Sequence, residues 1–142
     1  MSYIPFNTAT EWKALAGNTA AMEVKIAIDI LGAIEDGGGG LIVANRQTAS
    51  YTLVLTDANK IVEMNVGSAN NLTVPLNSSV AFDVGTEILI SQYGAGQTTV
   101  VATGGVTIRS ADGALKLRVQ YSGASLLKIA TDEWYLFGDI TT

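Results

Sequence analysis

The chain has 142 residues, a net charge of −5, and 48% hydrophobic but only 15% charged residues, where about 25% charged is ordinary for a soluble domain. That length suits one compact core with an appended element. Its eight Lys and Arg are scattered singly from Lys13 to Lys128, so no basic stripe exists to neutralise phosphates, which argues against nucleic acid as a partner.

In chain order, the start Met1-Ser-Tyr-Ile-Pro-Phe-Asn7 lacks the basic and apolar regions of a signal peptide. Thr8-Ala-Thr-Glu11 fits a capping box, in which Thr8 accepts from an early helix N–H and Glu11 reaches back to the cap. The spacing predicts a short helix holding Trp12 and Leu15 that stops near Gly17. Residues 20–35 carry two periodicities. With period two, Met22, Val24, Ile26, Ile28 and Ile30 share one face of a strand. With helical period, Ala20, Val24, Ala27, Leu31 and Ile34 form a heptad-like stripe beside Met22, Ile26 and Ile30. Helix is the preferred reading, on length and the leading alanines, and strand stays open. Glu23, Lys25 and Asp29 interrupt the segment, so membrane insertion is not expected. Either reading leaves several faces apolar, so Trp12, Leu15, Met22, Val24, Ile26, Leu31 and Ile34 are the candidate anchor or interface residues.

Gly37-Gly-Gly-Gly40 reads as a hinge, since four glycines carry maximal backbone entropy and nothing to pack. The expected organisation is an N-terminal anchor or oligomerisation segment over 1–36, the hinge at 37–40, and a β domain over 41–142. Short β segments are predicted at 51–55, 61–66, 72–74, 87–93, 98–101, 106–109, 115–120, 125–130 and 134–137. Asp and Asn in Thr56-Asp-Ala-Asn59, and Ala111-Asp-Gly113, mark turns between them. Leu115, Leu117 and Val119 alternate with Lys116, Arg118 and Gln120, which predicts one buried and one wet face. With no helical period after residue 50, parallel crossovers are not expected. The predicted fold is therefore mainly β, an antiparallel sandwich or barrel.

Catalytic groups are sparse. Histidine and cysteine are absent, which removes the usual general base, the usual serine activator, thiolate nucleophiles and the commonest metal ligands. No serine sits in a Gly-x-Ser-x-Gly elbow. Asp132-Glu133 is the only adjacent acidic pair of the β region, and in a turn such neighbours point into solvent rather than across a sugar. Asp36 and Asp57 lie in turn-like contexts without the spacing of a calcium loop. Gly94-Ala-Gly96 and Gly104-Gly105 lack a following helix and lysine, so they read as hairpin turns rather than phosphate cradles. No enzyme activity, cofactor or metal is expected. Trp134, Tyr135 and Phe137 form an aromatic cluster, with Trp134 and Leu136 on one strand face and Tyr135 and Phe137 on the other. A structural role is favoured, and sugar stacking on Trp134 and Tyr135 is the alternative.

One resemblance adds to this. Tyr51-Thr-Leu-Val-Leu-Thr-Asp-Ala-Asn-Lys-Ile-Val-Glu-Met-Asn65, Leu72-Thr-Val-Pro-Leu-Asn-Ser-Ser-Val-Ala-Phe-Asp-Val-Gly85, Ile90-Ser-Gln-Tyr-Gly-Ala-Gly-Gln97, Gly105-Val-Thr-Ile-Arg109 and Glu133-Trp-Tyr-Leu-Phe-Gly-Asp139 together resemble a β-rich module. That module recurs in fibre, spike and head-appendage proteins of tailed bacteriophages. The resemblance implies a β domain on the virion surface, made in the host bacterial cytoplasm, commonly a homotrimer, with no catalytic residues to carry over. Because the module here stands almost alone, the expected role is a capsid decoration or head-fibre protein docked on another virion protein through its N-terminal segment. A tail-fibre or spike tip binding a host surface glycan is the alternative.

Overall fold

The computed structural model describes residues 41–142. The candidate anchor residues Trp12, Leu15, Met22, Val24, Ile26, Leu31 and Ile34, the predicted helices and the glycine hinge lie outside the described residues.

The described chain is mainly β. Its strands are β1 (Ala44–Gln47), β2 (Tyr51–Thr52), β3 (Ile61–Met64), β4 (Asn70–Val74), β5 (Glu87–Gln92), β6 (Thr98–Ala102), β7 (Thr107–Ser110), β8 (Lys116–Leu117), β9 (Gly123–Ala130), β10 (Glu133–Gly138) and β11 (Ile140–Thr141). They form two sheets, ordered β1-β3-β5-β9-β10-β7 and β11-β8-β6-β4-β2, and neither is closed. The first six strands alternate between the sheets, so the chain winds through them as stacked coils. Val62, Met64, Ile88, Ile90, Leu126, Trp134 and Leu136 of the larger sheet meet Leu72, Val74, Val100 and Leu117 of the smaller one in a single core.

This winding corrects the antiparallel expectation. β1–β3, β3–β5, β2–β4, β4–β6 and β7–β10 pair in parallel. Only β5–β9, β9–β10, β6–β8 and β8–β11 are antiparallel. A parallel pair needs a crossover of roughly a dozen residues or more, which is usually a helix. In the first four pairs the crossover is a strand of the opposite sheet, and between β7 and β10 it is β8 and β9, so the lack of helical periodicity says nothing about direction. β9 and β8 then lie antiparallel beside β5 and β6, ending the parallel stack on strands that run the other way.

Alternation explains most of the burial. In β5, Ile88, Ile90 and Gln92 point inward; in β10, Trp134 and Leu136 do so while Tyr135 and Phe137 face out, as the sequence predicted. The predicted strand over 115–120 shrinks to β8, and Val119 is exposed rather than buried. Beyond Leu117 the chain turns, through the bond from the Ser122 N–H to the Val119 carbonyl. Gly94-Ala-Gly96 and Gly104-Gly105 are not hairpin turns either: each joins strands of different sheets. At Gly94 and Gly96 one coil lies directly on the backbone of the previous one, and a Cβ at either would strike Val66 or Ser68 main-chain atoms.

Three buried polar groups hold the corners. Asn70 donates to the carbonyls of Ser68 (3.0 Å) and Gly96 (3.3 Å) and accepts from the Thr98 hydroxyl (2.8 Å). Lys128 is buried, and its Nζ donates to Asn77 Oδ1 and the Phe82 carbonyl, both at 2.5 Å, tying the loop before β5 to β9. Asp57 closes the 3₁₀ turn Leu55–Asp57 and accepts from the Val54 N–H (2.8 Å), Asn45 Nδ2 (2.7 Å) and the Tyr51 hydroxyl (3.0 Å). Burial pushes the Tyr51 phenol above its ordinary range and Asp57 adds to this, with Asn45 opposing, so Tyr51 stays the donor. Asp57→Ala would strand three donors and is expected to cost about 2–4 kcal/mol in urea unfolding, with Asp57→Asn falling between it and the native protein. A loss below 0.5 kcal/mol in Asp57→Ala would show that water replaces the carboxylate.

Candidate functional site

Two surface regions concentrate groups that the fold itself does not use. The first is the outer face of the larger sheet. Register places Ala44, Ile61, Leu89, Ser125 and Phe137 in one row across five strands. The next row on that face runs Glu87, Leu127, Tyr135, Arg109. The missing side chain at Gly123 and the small one at Ser125 leave a shallow depression between Leu89 and Phe137. Phe137 is 51% exposed and Tyr135 46%. Arg46–Glu63 (2.7 Å) stands on the β1–β3 side of this face, and the Arg109–Glu133 pair on the β7–β10 side. An apolar centre between paired charges is the layout of a protein interface, with its polar rim.

The second region is the turn between β8 and β9. Tyr121 occupies its third position at φ 69°, where a residue with a Cβ is strained, and its ring is 72% exposed. Its N–H donates to the Gln92 carbonyl (2.6 Å), which fixes the turn on the end of β5. The ring meets Tyr93 edge to face at 6.0 Å. The Arg46 guanidinium lies 4.3 Å from the Tyr93 centroid while Glu63 holds it, and Gln120 Nε2 donates to the Tyr93 carbonyl (3.0 Å). Arg118 pairs with Asp139 through two bonds of 2.6 and 3.0 Å, and the Ser122 hydroxyl donates to the same carboxylate (2.6 Å). The bond from Arg118, then that from Ser122, holds the Asp139 carboxyl below its ordinary range.

The sequence candidates distribute differently. Trp134 is 1% exposed, packed edge to face on Phe82 at 5.5 Å, so its ring offers no face to a ligand. Tyr135 stands on the outer sheet face, away from Trp134 by strand alternation. Asp132 and Glu133 do not project together into solvent. Asp132 accepts from the Asn77 N–H (2.6 Å), and Glu133 pairs with Arg109. Asp57, read as a turn residue, is the buried hub described above. Tyr93 and Tyr121 were missed because they lie far apart in sequence, and only the return of β9 beside β5 joins them. Among the described residues, no three Asp or Glu side chains gather to hold a metal ion, and no helix is long and apolar enough to cross a membrane. No protein-family model matches the chain, and no curated protein matches it.

Proposed function

We propose that this protein is a non-enzymatic structural component of a bacteriophage particle, a homo-oligomer carried on the virion surface as a head decoration or head fibre. The single observation behind the oligomer is the apolar outer face of the larger sheet, with Phe137, Tyr135, Leu89 and Ile61 in adjoining rows. The occupant is a second copy of the chain. Arg46–Glu63 and Arg109–Glu133, at opposite margins, supply both signs of charge to meet a copy bearing the same pairs. Sparse charge over the whole chain agrees, because surface covered by another subunit needs no charge to keep it in water. The phage setting and threefold stoichiometry rest on the sequence resemblance. Docking through residues 1–36 follows from their apolar periodicity, and several weak anchors on one oligomer would add by avidity.

Light scattering should give a multiple of the 14.8 kDa chain mass at micromolar concentration. Phe137→Asp should shift it to the monomer while leaving the β circular-dichroism spectrum intact, because Phe137 faces outward. A native monomer would sink the oligomer. Immunogold electron microscopy of intact particles tests the setting: label on the head supports the decoration role. Label only at tail tips transfers the protein to the receptor-binding alternative, and bare particles overturn both.

A further inference from the structure

We propose that Lys128 and Asn77 join in an intramolecular isopeptide bond, with Asp132 carrying the proton that the reaction moves.

Lys128 is 2% exposed, yet among the described residues no carboxylate pairs with it. Its Nζ meets only neutral oxygens, Asn77 Oδ1 and the Phe82 carbonyl, with the Trp134 ring centroid 5.8 Å away. A buried ammonium group without a counter-charge is an expensive end state, and lysines enclosed by apolar side chains are the ones that serve as nucleophiles. Asn77 supplies the electrophile. Its Oδ1 lies 2.5 Å from Nζ. A C=O bond of about 1.23 Å then puts the amide carbon within about 3.7 Å, close to the roughly 3–3.5 Å of a near-attack pair. The amide turns about its Cβ–Cγ bond, a broad torsion, to present its face to the amine.

The carboxylate comes from the same hairpin as the nucleophile. Lys128 lies in β9, and Asp132 sits in the turn between β9 and β10. Asp132 Oδ1 accepts from the Asn77 N–H at 2.6 Å, on the residue whose amide reacts. In the step, the free amine of Lys128 bonds to Asn77 Cγ while Asp132 takes one proton from Nζ. Collapse of the tetrahedral centre breaks the Cγ–Nδ2 bond as Asp132 returns that proton to Nδ2, and ammonia leaves. Asn77 is half-buried, so the ammonia has a way out to solvent. The remaining Nζ–H still donates to the Phe82 carbonyl, so the product strands no polar group and removes the buried charge. The new bond spans 51 residues of sequence and ties the loop before β5 to β9 covalently, which restricts the unfolded chain.

Intact-mass spectrometry of the full chain, with its β circular-dichroism spectrum confirmed, should read the sequence mass less one ammonia. Proteolysis and fragmentation should then give a branched peptide that joins residue 77 to residue 128. Lys128→Met and Asn77→Ala should keep their full sequence masses. In a cell-free synthesis time course, Asp132→Asn should lose ammonia at least about a hundredfold more slowly than the native chain. A full sequence mass in the folded native protein overturns the cross-link. So does an ammonia loss that Lys128→Met shares, which would come from closure of Asn77 onto the Ser78 backbone nitrogen. A native rate in Asp132→Asn overturns the proton route through that carboxylate.

Discussion

Gly96→Ala is expected to destabilise the β domain by more than about 4 kcal/mol, enough to leave much of it unfolded at 37 °C. A Cβ at Gly96 would stand 2.6 Å from the Ser68 nitrogen and closer still to its carbonyl group. These are backbone atoms, so no side-chain rotation relieves the clash. Retreat of the upper coil is opposed by the Gly96 N–H bond to the Val66 carbonyl (2.9 Å), and by Asn70, which bridges the Ser68 and Gly96 carbonyls. Moving one coil off the other would therefore break bonds at a buried corner, where each orphaned polar group costs about 1–3 kcal/mol. Gly94→Ala should behave alike, since its Cβ would sit 2.7 Å from the Val66 carbonyl carbon. Gly67→Ala is the control: nothing lies within 4 Å, and stability should stay within about 0.5 kcal/mol. Urea titration followed by far-UV circular dichroism reads all three. A Gly96→Ala midpoint equal to that of Gly67→Ala would show that the coils can separate at no cost.

The same corner explains what was legible in the sequence. Local strand signals are strong: Ile61, Val62, Ile88, Leu89 and Ile90 are β-branched or bulky apolar residues, and their segments formed strands where expected. Strand direction is a non-local property. Ile61 pairs with Leu89 and Asn70 with Thr98 at one common spacing, but Ala44–Ile61 and Tyr51–Leu72 use shorter, unequal ones. The loop between β4 and β5 lengthens only one coil, so no fixed period survives in the residue pattern. The usable trace was Gly94-Ala-Gly96, small residues set two apart where the corner between β5 and β6 lies on the corner between β3 and β4. β1 and β11 escaped notice because Ala44-Asn-Arg-Gln47 and Ile140-Thr141 are too polar or too short to signal a strand.

Functional groups were less legible than strands, for a reason tied to residue type. Asp57, Asn70, Gln92 and Lys128 are types that normally face water, yet all four are buried here. Their partners come from distant coils, as when Lys128 reaches the Phe82 carbonyl. Conversely, the exposed Tyr93 ends one predicted segment and Tyr121 falls between two others, each unremarked alone. The aromatic cluster at residues 134–137 was visible but mixed two surfaces: alternation sends Trp134 inward and its neighbours outward.

Trp134→Ala is expected to cost about 3–5 kcal/mol, the range for removing a large buried aromatic ring. The indole lies beneath the larger sheet, edge to face on Phe82 at 85° between planes, and Lys128 Nζ is 5.8 Å from its centroid. Removing it opens a void beside a buried ammonium group. That void is hard to collapse, because Lys128 is held by Asn77 and Phe82 and cannot move inward without breaking those bonds. Water entering the space would reach the ammonium group but not the apolar walls of Phe82 and Leu136, so hydration recovers only part of the loss. Tyr135→Ala, one position on, should cost under about 1 kcal/mol, since that ring is 46% exposed on the outer face. For a domain of this size, about 1 kcal/mol corresponds to roughly 4–8 °C of melting temperature. The two variants should therefore separate by at least about 8 °C in a calorimetric scan. Equal melting temperatures would mean that Trp134 contributes no more to the core than an exposed neighbour, and the packing of β10 against the loop before β5 would have to be redrawn.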